Sequence, residues 1–203
     1  MCSSDLHGVW GNYQFSRTNL KVKEEVLDEY LFQVAGPTSL ATLEAATGTT
    51  LRDIGFLGFR QCEIAGRSVE IMRIGMAGGL AYEVHGPMDD ARFVFDAIYR
   101  AGKDHGIERL GARTYQVNHI EGGFPQKNWT FFPAGADDPD FREWARSHRL
   151  MSYIEPRWTG SVHPDNHRAR YRTPIEVGWQ KSVNFEHEFI GRAALEKEFA
   201  NPR

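Results

Sequence analysis

One acidic residue, Glu83, stands in an apolar, strand-like run that follows a glycine-rich segment. The stretch reads RIGMAGGLAYEVHGP and spans residues 73–87. A carboxylate on a strand ordinarily faces solvent, and the position alone leaves that interpretation open. The alternative is a carboxylate that points into a cleft and accepts two parallel hydrogen bonds from a heterocycle with adjacent N–H donors. A pterin ring has such a pair of donors.

The glycines before Glu83 do not form a known phosphate-binding loop. Gly75, Gly78 and Gly79 match neither G-x-G-x-x-G nor G-x-x-x-x-G-K-[ST]. The chain also lacks a G-x-S-x-G nucleophile elbow, so acyl transfer by that architecture is unsupported. His163 and His167 have the spacing of metal ligands on a helix. The proline between them and the polar segment around them disfavour a helix, and we predict no metal site.

The composition argues against several classes of protein. The 203-residue chain is 41% hydrophobic and has a formal net charge of -3. It therefore lacks the excess of positive charge that is typical of proteins that bind nucleic acid. No apolar run approaches the roughly 20 residues that a membrane span needs. Two cysteines, Cys2 and Cys62, make no disulfide framework. We therefore expect a reduced, cytoplasmic protein with neither nucleic acid nor a membrane as its partner.

Hydrophobic patterns and turn residues predict the elements that precede Glu83. The run EYLFQVAGP predicts a strand that a Gly-Pro pair closes. The segment SLATLEAATG predicts a helix with Thr38 or Ser39 as its N-cap and Gly48 as its C-cap. The segment FRQCEIAGRSVEIMRIG predicts two alternating strands with a turn at residues 65–67.

A strand and a helix are predicted at and after Glu83. AYEVHGP indicates the strand, and MDDARFVFDAIYRAGKDHG indicates the helix, with Asp89 and Asp90 at its N-terminus. The predicted apolar stripe of this helix comprises Phe93, Ala97, Ile98 and Ala101. Strands joined by tight turns pair antiparallel, so the expected fold class is α+β, with an antiparallel sheet and helices on one face, rather than a doubly wound parallel sheet.

The remaining segments have weaker patterns. The opening GVWGNYQFSRTN shows no clear period. PAGADDPDFREWARSHR is polar and predicts a surface loop that leads into a short helix. TPIEVGWQKSVNFEHEFIGRAAL predicts a strand, a turn and the start of a helix.

Four segments resemble, in order, motifs of the glycine cleavage T-protein superfamily of tetrahydrofolate-dependent aminomethyltransferases and methyltransferases. They are FQVAGPTSL, RIGMAGGLAYEVHGP, LGARTY and TPIEVGWQKSVNFEHEFIGRAAL. Each motif is weak singly, but their order and spacing make a fairly specific match from Leu27 onward. The resemblance implies tetrahydrofolate as the cofactor. It also implies a ferredoxin-like folate-binding domain plus part of an adjacent sheet subdomain.

The resemblance assigns candidate roles to five residues. Glu83 matches the acidic residue that holds the pterin edge, and Met76 stands where the family has a tyrosine. Tyr115 resembles the tyrosine of the aryl-methyl-ether O-demethylases, the vanillate and syringate type, and is the candidate catalytic residue. Phe124 and Trp129 lie in the aromatic segment GGFPQKNWTFF. They are candidates for stacking on the folate ring, with core packing as the alternative.

The same motifs imply methyl transfer from a small-molecule donor. LGARTYQVNHIEGG carries Thr114 and Tyr115 where aminomethyltransferases typically have an aspartate after the arginine. This favours O-demethylation of a methoxylated aromatic acid. HEFIGRAAL has the form of the transferase branch, not the Lys-Gly-Cys signature of the branch that assists iron–sulfur assembly. Aminomethyl transfer and a non-catalytic folate-binding module are the alternatives.

Both ends of the chain suggest a fragment of a longer protein. Residues 1–6, MCSSDL, can be read, with a GTG start codon, as the end of a common sequencing adapter, and we expect them to be an artefact. The last helix pattern stops abruptly. We expect a truncated N-terminal segment over residues 1–26 and the folate-binding domain over 27–110. Residues 111–203 are expected to return to the catalytic sheet subdomain.

Overall fold

The structure is a computed structural model, and it describes residues 4–19, 21, 25, 27–125, 131, 134–151, 160–163 and 165–201. The chain forms two compact units. One unit comprises Glu24–Phe124, and the other comprises Met1–Lys23 together with Pro125–Arg203. The domain boundaries expected from the sequence stay predictions.

The unit Glu24–Phe124 is built on a four-stranded antiparallel sheet. Its strands are β1 (Glu29–Ala35), β2 (Phe59–Ile64), β3 (Arg67–Met72) and β4 (Ala81–Pro87). They lie in the order β1-β4-β3-β2, and every neighbouring pair is antiparallel. The predicted α+β class with an antiparallel sheet is confirmed.

Three α-helices lie in the described part of the same unit. They are α2 (Ser39–Thr47), α3 (Ala91–Ala101) and α4 (Ala112–Glu121). Side chains of α2 and α3 share one buried cluster with alternate residues of all four strands. The fully buried members of this core are Leu43, Leu51, Ile64, Ile71, Val84 and Val94. Because successive strand residues point to opposite faces, the residues between the buried ones, Glu83 among them, lie on the face away from this core.

Two local predictions in this unit are confirmed. Ala65 and Gly66 join β2 to β3 with φ angles of 51° and 73°, the left-handed values that a two-residue hairpin turn requires. Gly48 ends α2 with φ 68°, and its N–H donates to the carbonyl of Glu44, as in an αL cap.

The predicted N-cap of α2 is only partly right. Thr38 occupies the position, but its side chain makes no cap hydrogen bond. Its hydroxyl donates instead to the carbonyl oxygen of His105, 3.1 Å away. The Thr38 hydroxyl therefore bonds to a carbonyl that is distant in sequence instead of to the backbone at the start of α2.

The predicted stripe of α3 is wrong at Phe93. That side chain is 55% exposed, whereas Val94 is fully buried with Ile98. The guanidinium of Arg67 lies over the Phe93 ring, 4.8 Å from its centroid, and Arg67 also pairs with Asp90 at 3.2 Å. The helix therefore turns the Val94 and Ile98 side chains, four residues apart, to the sheet.

The second unit contains three α-helices among its described residues. They are α1 (Ser4–Ser16), α5 (Pro139–Ser147) and α6 (Arg192–Ala200). The opening segment, which shows no period in sequence, is helical because two of its residues, Val9 and Tyr13, bury against Phe141 and Ala145. The segment predicted as a surface loop and a short helix therefore also contributes buried side chains to this unit. Asp138 caps α5 by accepting from the N–H groups of Asp140 and Phe141.

The strand predicted at TPIEVGWQK is wrong. Residues 174–178 form turns, and Gln180–Ser182 is a short 3-10 helix. Gly178 has φ 81°, and the N–H of Trp179 bonds back to the carbonyl of Pro174 at 2.7 Å. The left-handed backbone conformation of Gly178 turns the chain back on itself, so this segment does not form an extended strand. The predicted helix start is confirmed by α6.

Candidate functional site

The loop between β3 and β4 lies against the C-terminal end of α4. A Cβ atom on Gly122 would fall 2.3 Å from the carbonyl oxygen of Met76 and 2.9 Å from the Cα of Ala77. Only glycine allows the two backbones to approach this closely. The helix end and the glycine-rich loop are therefore held in direct contact, and Met76 is placed beside α4.

Gly122→Ala is expected to separate the loop from α4. The new methyl group meets backbone atoms, which cannot rotate away, so we expect the free energy of unfolding to fall by about 1–3 kcal/mol. Gly79→Ala in the same loop is the matched control, since a Cβ there meets nothing within 4 Å. Chemical denaturation of both variants measures the difference, and equal stabilities would contradict the close contact.

Tyr115 and Met76 are in contact across this junction. Tyr115 lies on the second turn of α4, and its hydroxyl donates to the Sδ atom of Met76 at 3.4 Å. A thioether is a weak acceptor. An oxygen atom is a stronger acceptor than this sulfur, so a bound oxygen atom can replace the sulfur as an acceptor for the hydroxyl.

His119 lies one turn further along α4 and is almost completely buried. Its ring meets that of Tyr115 edge-on, with centroids 4.7 Å apart. Its Nδ1 lies 3.1 Å from the carbonyl oxygen of Phe124, which can only accept, so Nδ1 carries a proton. Nε2 is buried without a hydrogen-bond partner among the described residues.

Phe124 completes this group of side chains. Its ring centroid lies 5.7 Å from that of His119. Three of the predicted site residues, Met76, Tyr115 and Phe124, thus belong to one group, in which His119 joins Tyr115 to Phe124. Trp129, the other aromatic candidate, lies outside the described residues.

His119→Ala is expected to destabilise this unit. The substitution leaves a cavity and removes the donor to the Phe124 carbonyl, so we expect a loss of about 2–4 kcal/mol in the free energy of unfolding. Ile120→Ala is the control on the same helix, because Ile120 is 62% exposed and should change stability by less than about 0.5 kcal/mol. Thermal unfolding distinguishes them, and a neutral His119→Ala would show that the residue has no structural role.

Glu83 lies on β4, the strand that follows the glycine-rich loop. Its side chain is 18% exposed, and its Oε2 lies 3.4 Å from Nε2 of His85 on the same face. The contact makes no hydrogen bond, and it is an ion pair only when the imidazole is protonated. Glu83 therefore keeps carboxylate oxygens available to a donor pair. Its predicted role stays a prediction.

Gln33 lies directly opposite Glu83 in the β1–β4 register. Its Nε2 is buried and has no hydrogen-bond partner in the described part of the chain. Sequence reasoning missed both Gln33 and His119. The signal for His119 was its spacing of four residues from Tyr115 on a helix. The signal for Gln33 was a polar residue within an otherwise apolar strand.

Other candidate chemistries find no support in the described residues. Burial raises the pKa of the Cys62 thiol, whereas a nucleophilic cysteine needs a lowered one. His163 and His167 each lie near an aspartate, at 3.6 Å from Asp165 and 3.4 Å from Asp137. No described group of three or more His, Cys, Asp or Glu residues could hold a metal ion. No helix among the described residues has the length and apolarity to cross a membrane.

The chain belongs to the family defined by the GCVT N-terminal domain, which matches residues 9–128. This confirms the resemblance to the glycine cleavage T-protein superfamily. Glu83, Met76, Tyr115, His119 and Phe124 all lie within the matched region.

Individual relatives agree with this family. The chain is 40% identical over 190 residues to a sesamin methylene transferase from Sinomonas sp., covering 92% of this chain and 42% of that protein. It is 34% identical over 204 residues to the syringate O-demethylase of Sphingobium sp., covering 98% of this chain and 44% of that protein. An aminomethyltransferase from Saccharopolyspora erythraea is 30% identical over 103 residues, 50% of this chain and 28% of that protein. The chain thus spans less than half the length of these relatives.

Proposed function

We propose that the whole protein is a tetrahydrofolate-dependent methyltransferase that removes the methyl group of a methoxylated aromatic acid. The observation that carries the proposal is the contact of Tyr115 with Met76 beside the loop that leads to Glu83. The Tyr115–Met76 contact supplies a phenol donor and apolar surface for a flat ring, and the strand that follows the loop supplies the partly buried carboxylate of Glu83. The similarity to the syringate O-demethylase over nearly the whole chain supports the same reaction class.

The described residues fit a pterin ring. The carboxylate of Glu83 can accept from the N3–H and the 2-amino group of the heterocycle, a bidentate geometry that a strand side chain holds well. Met76 and Phe124 offer apolar surface against the ring faces. Bound tetrahydrofolate would supply N5 as the acceptor of the methyl group.

Tyr115 would act on the leaving group. When the C–O bond of an aryl methyl ether breaks, its electron pair stays on the phenolate oxygen. A hydrogen bond or a proton from a positioned phenol stabilises that oxygen. Glu83 would orient the ring without exchanging protons, since alignment of two reactants alone lowers the barrier substantially.

The experiment uses the protein expressed from its complete gene. Incubation with vanillate or syringate and tetrahydrofolate should yield 5-methyltetrahydrofolate and the free phenol in equal amounts, measured by liquid chromatography. Absence of product with any methoxyarene, together with folate binding, would overturn the proposed reaction and favour a non-catalytic folate-binding module.

Methylene transfer is the second candidate. The observation that favours it is the 40% identity to the sesamin methylene transferase. The same chromatographic measurement separates the two, because a methylene donor yields 5,10-methylenetetrahydrofolate rather than the 5-methyl form. Formation of the methylene product from sesamin alone would assign the second function.

A further inference from the structure

His119 is buried between α4 and the turn that follows it, and the proposed reaction gives it no role. The residue is 1% exposed. Nδ1 of its ring donates to the carbonyl oxygen of Phe124 at 3.1 Å, and Nε2 is buried without a hydrogen-bond partner among the described residues. A leucine would fill a similar space without burying an unpaired polar atom, which costs stability. Burial alone therefore does not account for a histidine at this position.

The turn after α4 fixes the orientation of the imidazole. Gly123 has φ 64°, and its N–H donates to the carbonyl of Ile120 at 3.1 Å. The N–H of Phe124 donates to the carbonyl of His119 at 2.9 Å. These two bonds and the left-handed glycine form a Schellman motif. One backbone bond and one side-chain bond thus join His119 to Phe124, and together they fix the ring relative to the end of the helix.

The same ring contacts Tyr115, the candidate donor to the leaving group. The two residues are four positions apart, so their side chains lie on one face of the helix. Their rings meet edge-on, with centroids 4.7 Å apart and planes at 74°. The hydroxyl of Tyr115 donates to the sulfur of Met76, which is a weak acceptor. The imidazole therefore limits the positions of the phenol ring, and the direction of its hydroxyl depends on that limit.

Met76 is held by the same end of α4. A Cβ atom on Gly122 would overlap the carbonyl oxygen of Met76, so the helix end lies directly against the backbone of that residue. Two groups that contact Tyr115 are thus anchored by residues 122–124. Neighbours that are themselves fixed keep a reacting group aligned before the reaction begins, and this alignment lowers the barrier.

We propose that His119 is a positioning residue that holds the phenol of Tyr115 in the orientation needed for donation to the leaving oxygen. In this role His119 touches neither reactant and exchanges no proton, because it acts through Tyr115. The inference rests on the proposed function, in which Tyr115 stabilises the phenolate that leaves the aryl methyl ether. It adds that the turn after α4 controls the orientation of this donor.

His119→Asn separates the ring contact from the anchor of the turn. The amide nitrogen of asparagine takes the place of Nδ1 and can donate to the Phe124 carbonyl, whereas the ring beside Tyr115 is lost. In the protein expressed from its complete gene, kcat for demethylation of vanillate should fall about tenfold, since misplacement by about 1 Å can cost a factor of about 100. The KM for tetrahydrofolate should change little, because Phe124 keeps its place. Ile120→Ala alters an exposed residue of the same helix and should change neither constant.

A double-mutant cycle with Tyr115→Phe distinguishes positioning from a general structural effect. Since His119 acts through the Tyr115 hydroxyl, His119→Asn should lower kcat by less than about twofold once that hydroxyl is absent. A structural defect would instead slow the enzyme by the same factor in both backgrounds. His119→Leu fills the space of the ring and provides a second cycle if the asparagine variant does not fold. The same non-additivity is expected for it.

The outcomes separate the inference from the proposed function. An unchanged kcat in His119→Asn, or an equal loss with and without the Tyr115 hydroxyl, would overturn the inference and leave the proposed reaction standing. If Tyr115→Phe leaves kcat unchanged in an active enzyme, Tyr115 is not the donor and the role of His119 is wrong as well. If the unaltered protein forms no 5-methyltetrahydrofolate from any methoxyarene, the proposed function and the inference are both wrong. Non-additive losses of kcat with an unchanged KM support the inference.

Discussion

Tetrahydrofolate is expected to bind the Glu83→Gln variant about 100-fold more weakly than the unaltered chain. The substitution preserves the size of the side chain, but it replaces one acceptor oxygen with an N–H₂ group that faces the donors of the pterin. Two charge-assisted hydrogen bonds are lost or weakened, and each contributes about 1.5–3 kcal/mol. Fluorescence titration with tetrahydrofolate measures the change.

The control for Glu83 is Glu63→Gln. Glu63 lies on β2 on the same face of the sheet as Glu83, and its side chain is exposed. We expect its substitution to leave the affinity unchanged, since a charge in solvent away from the ligand is largely screened. If Glu83→Gln lowers the unfolding temperature and leaves the affinity intact, the contact with His85 is structural and the folate role is wrong.

Tyr115→Phe is expected to lower kcat for demethylation by about 100-fold in the protein expressed from its complete gene. The variant keeps the ring that contacts His119 and loses only the hydroxyl. Donation to a leaving oxygen typically contributes a factor of about 10²–10⁴. The KM for tetrahydrofolate should change little, because the hydroxyl acts on the other reactant.

The leaving group provides a sharper test of the same residue. The phenolate that leaves from an aryl methyl ether of a more acidic phenol is more stable, so it depends less on a hydrogen-bond donor. Tyr115→Phe should therefore slow the demethylation of such an ether less than that of vanillate. Tyr99→Phe on α3 is the control, since Tyr99 stacks on Phe95 within the helix, with centroids 6.2 Å apart. An equal effect of both substitutions, or the same loss with every leaving group, would show that Tyr115 is not the donor.

Local signals were sufficient for the hairpin and for the end of α2. The alternation in β2 and β3 and the Ala65-Gly66 turn predicted that pairing, because a two-residue turn leaves the strands no other register. Gly48 predicted its helix end for a similar reason, since the left-handed conformation is nearly free of cost for glycine.

The failures occurred where the deciding partner is distant in the chain. The first helix has no period of its own and depends on Phe141 and Ala145 of α5. The face of α3 was misassigned because Arg67, on a neighbouring strand, covers Phe93. Most helical stability comes from tertiary packing rather than from propensity, so a pattern read within one helix was insufficient in both cases.

The sequence by itself determined the α+β class and the family, and it named four candidate site residues in the described part of the chain, whose roles stay predictions. These depend on side-chain type and short spacing, which are properties of the chain before it folds. Only the tertiary structure decided which groups meet. Tyr115 contacts Met76 across 39 residues, and Gln33 faces Glu83 because β1 pairs with β4. These contacts depend on how distant segments of the chain come together and on the register in which the strands pair. A local sequence pattern specifies neither of them.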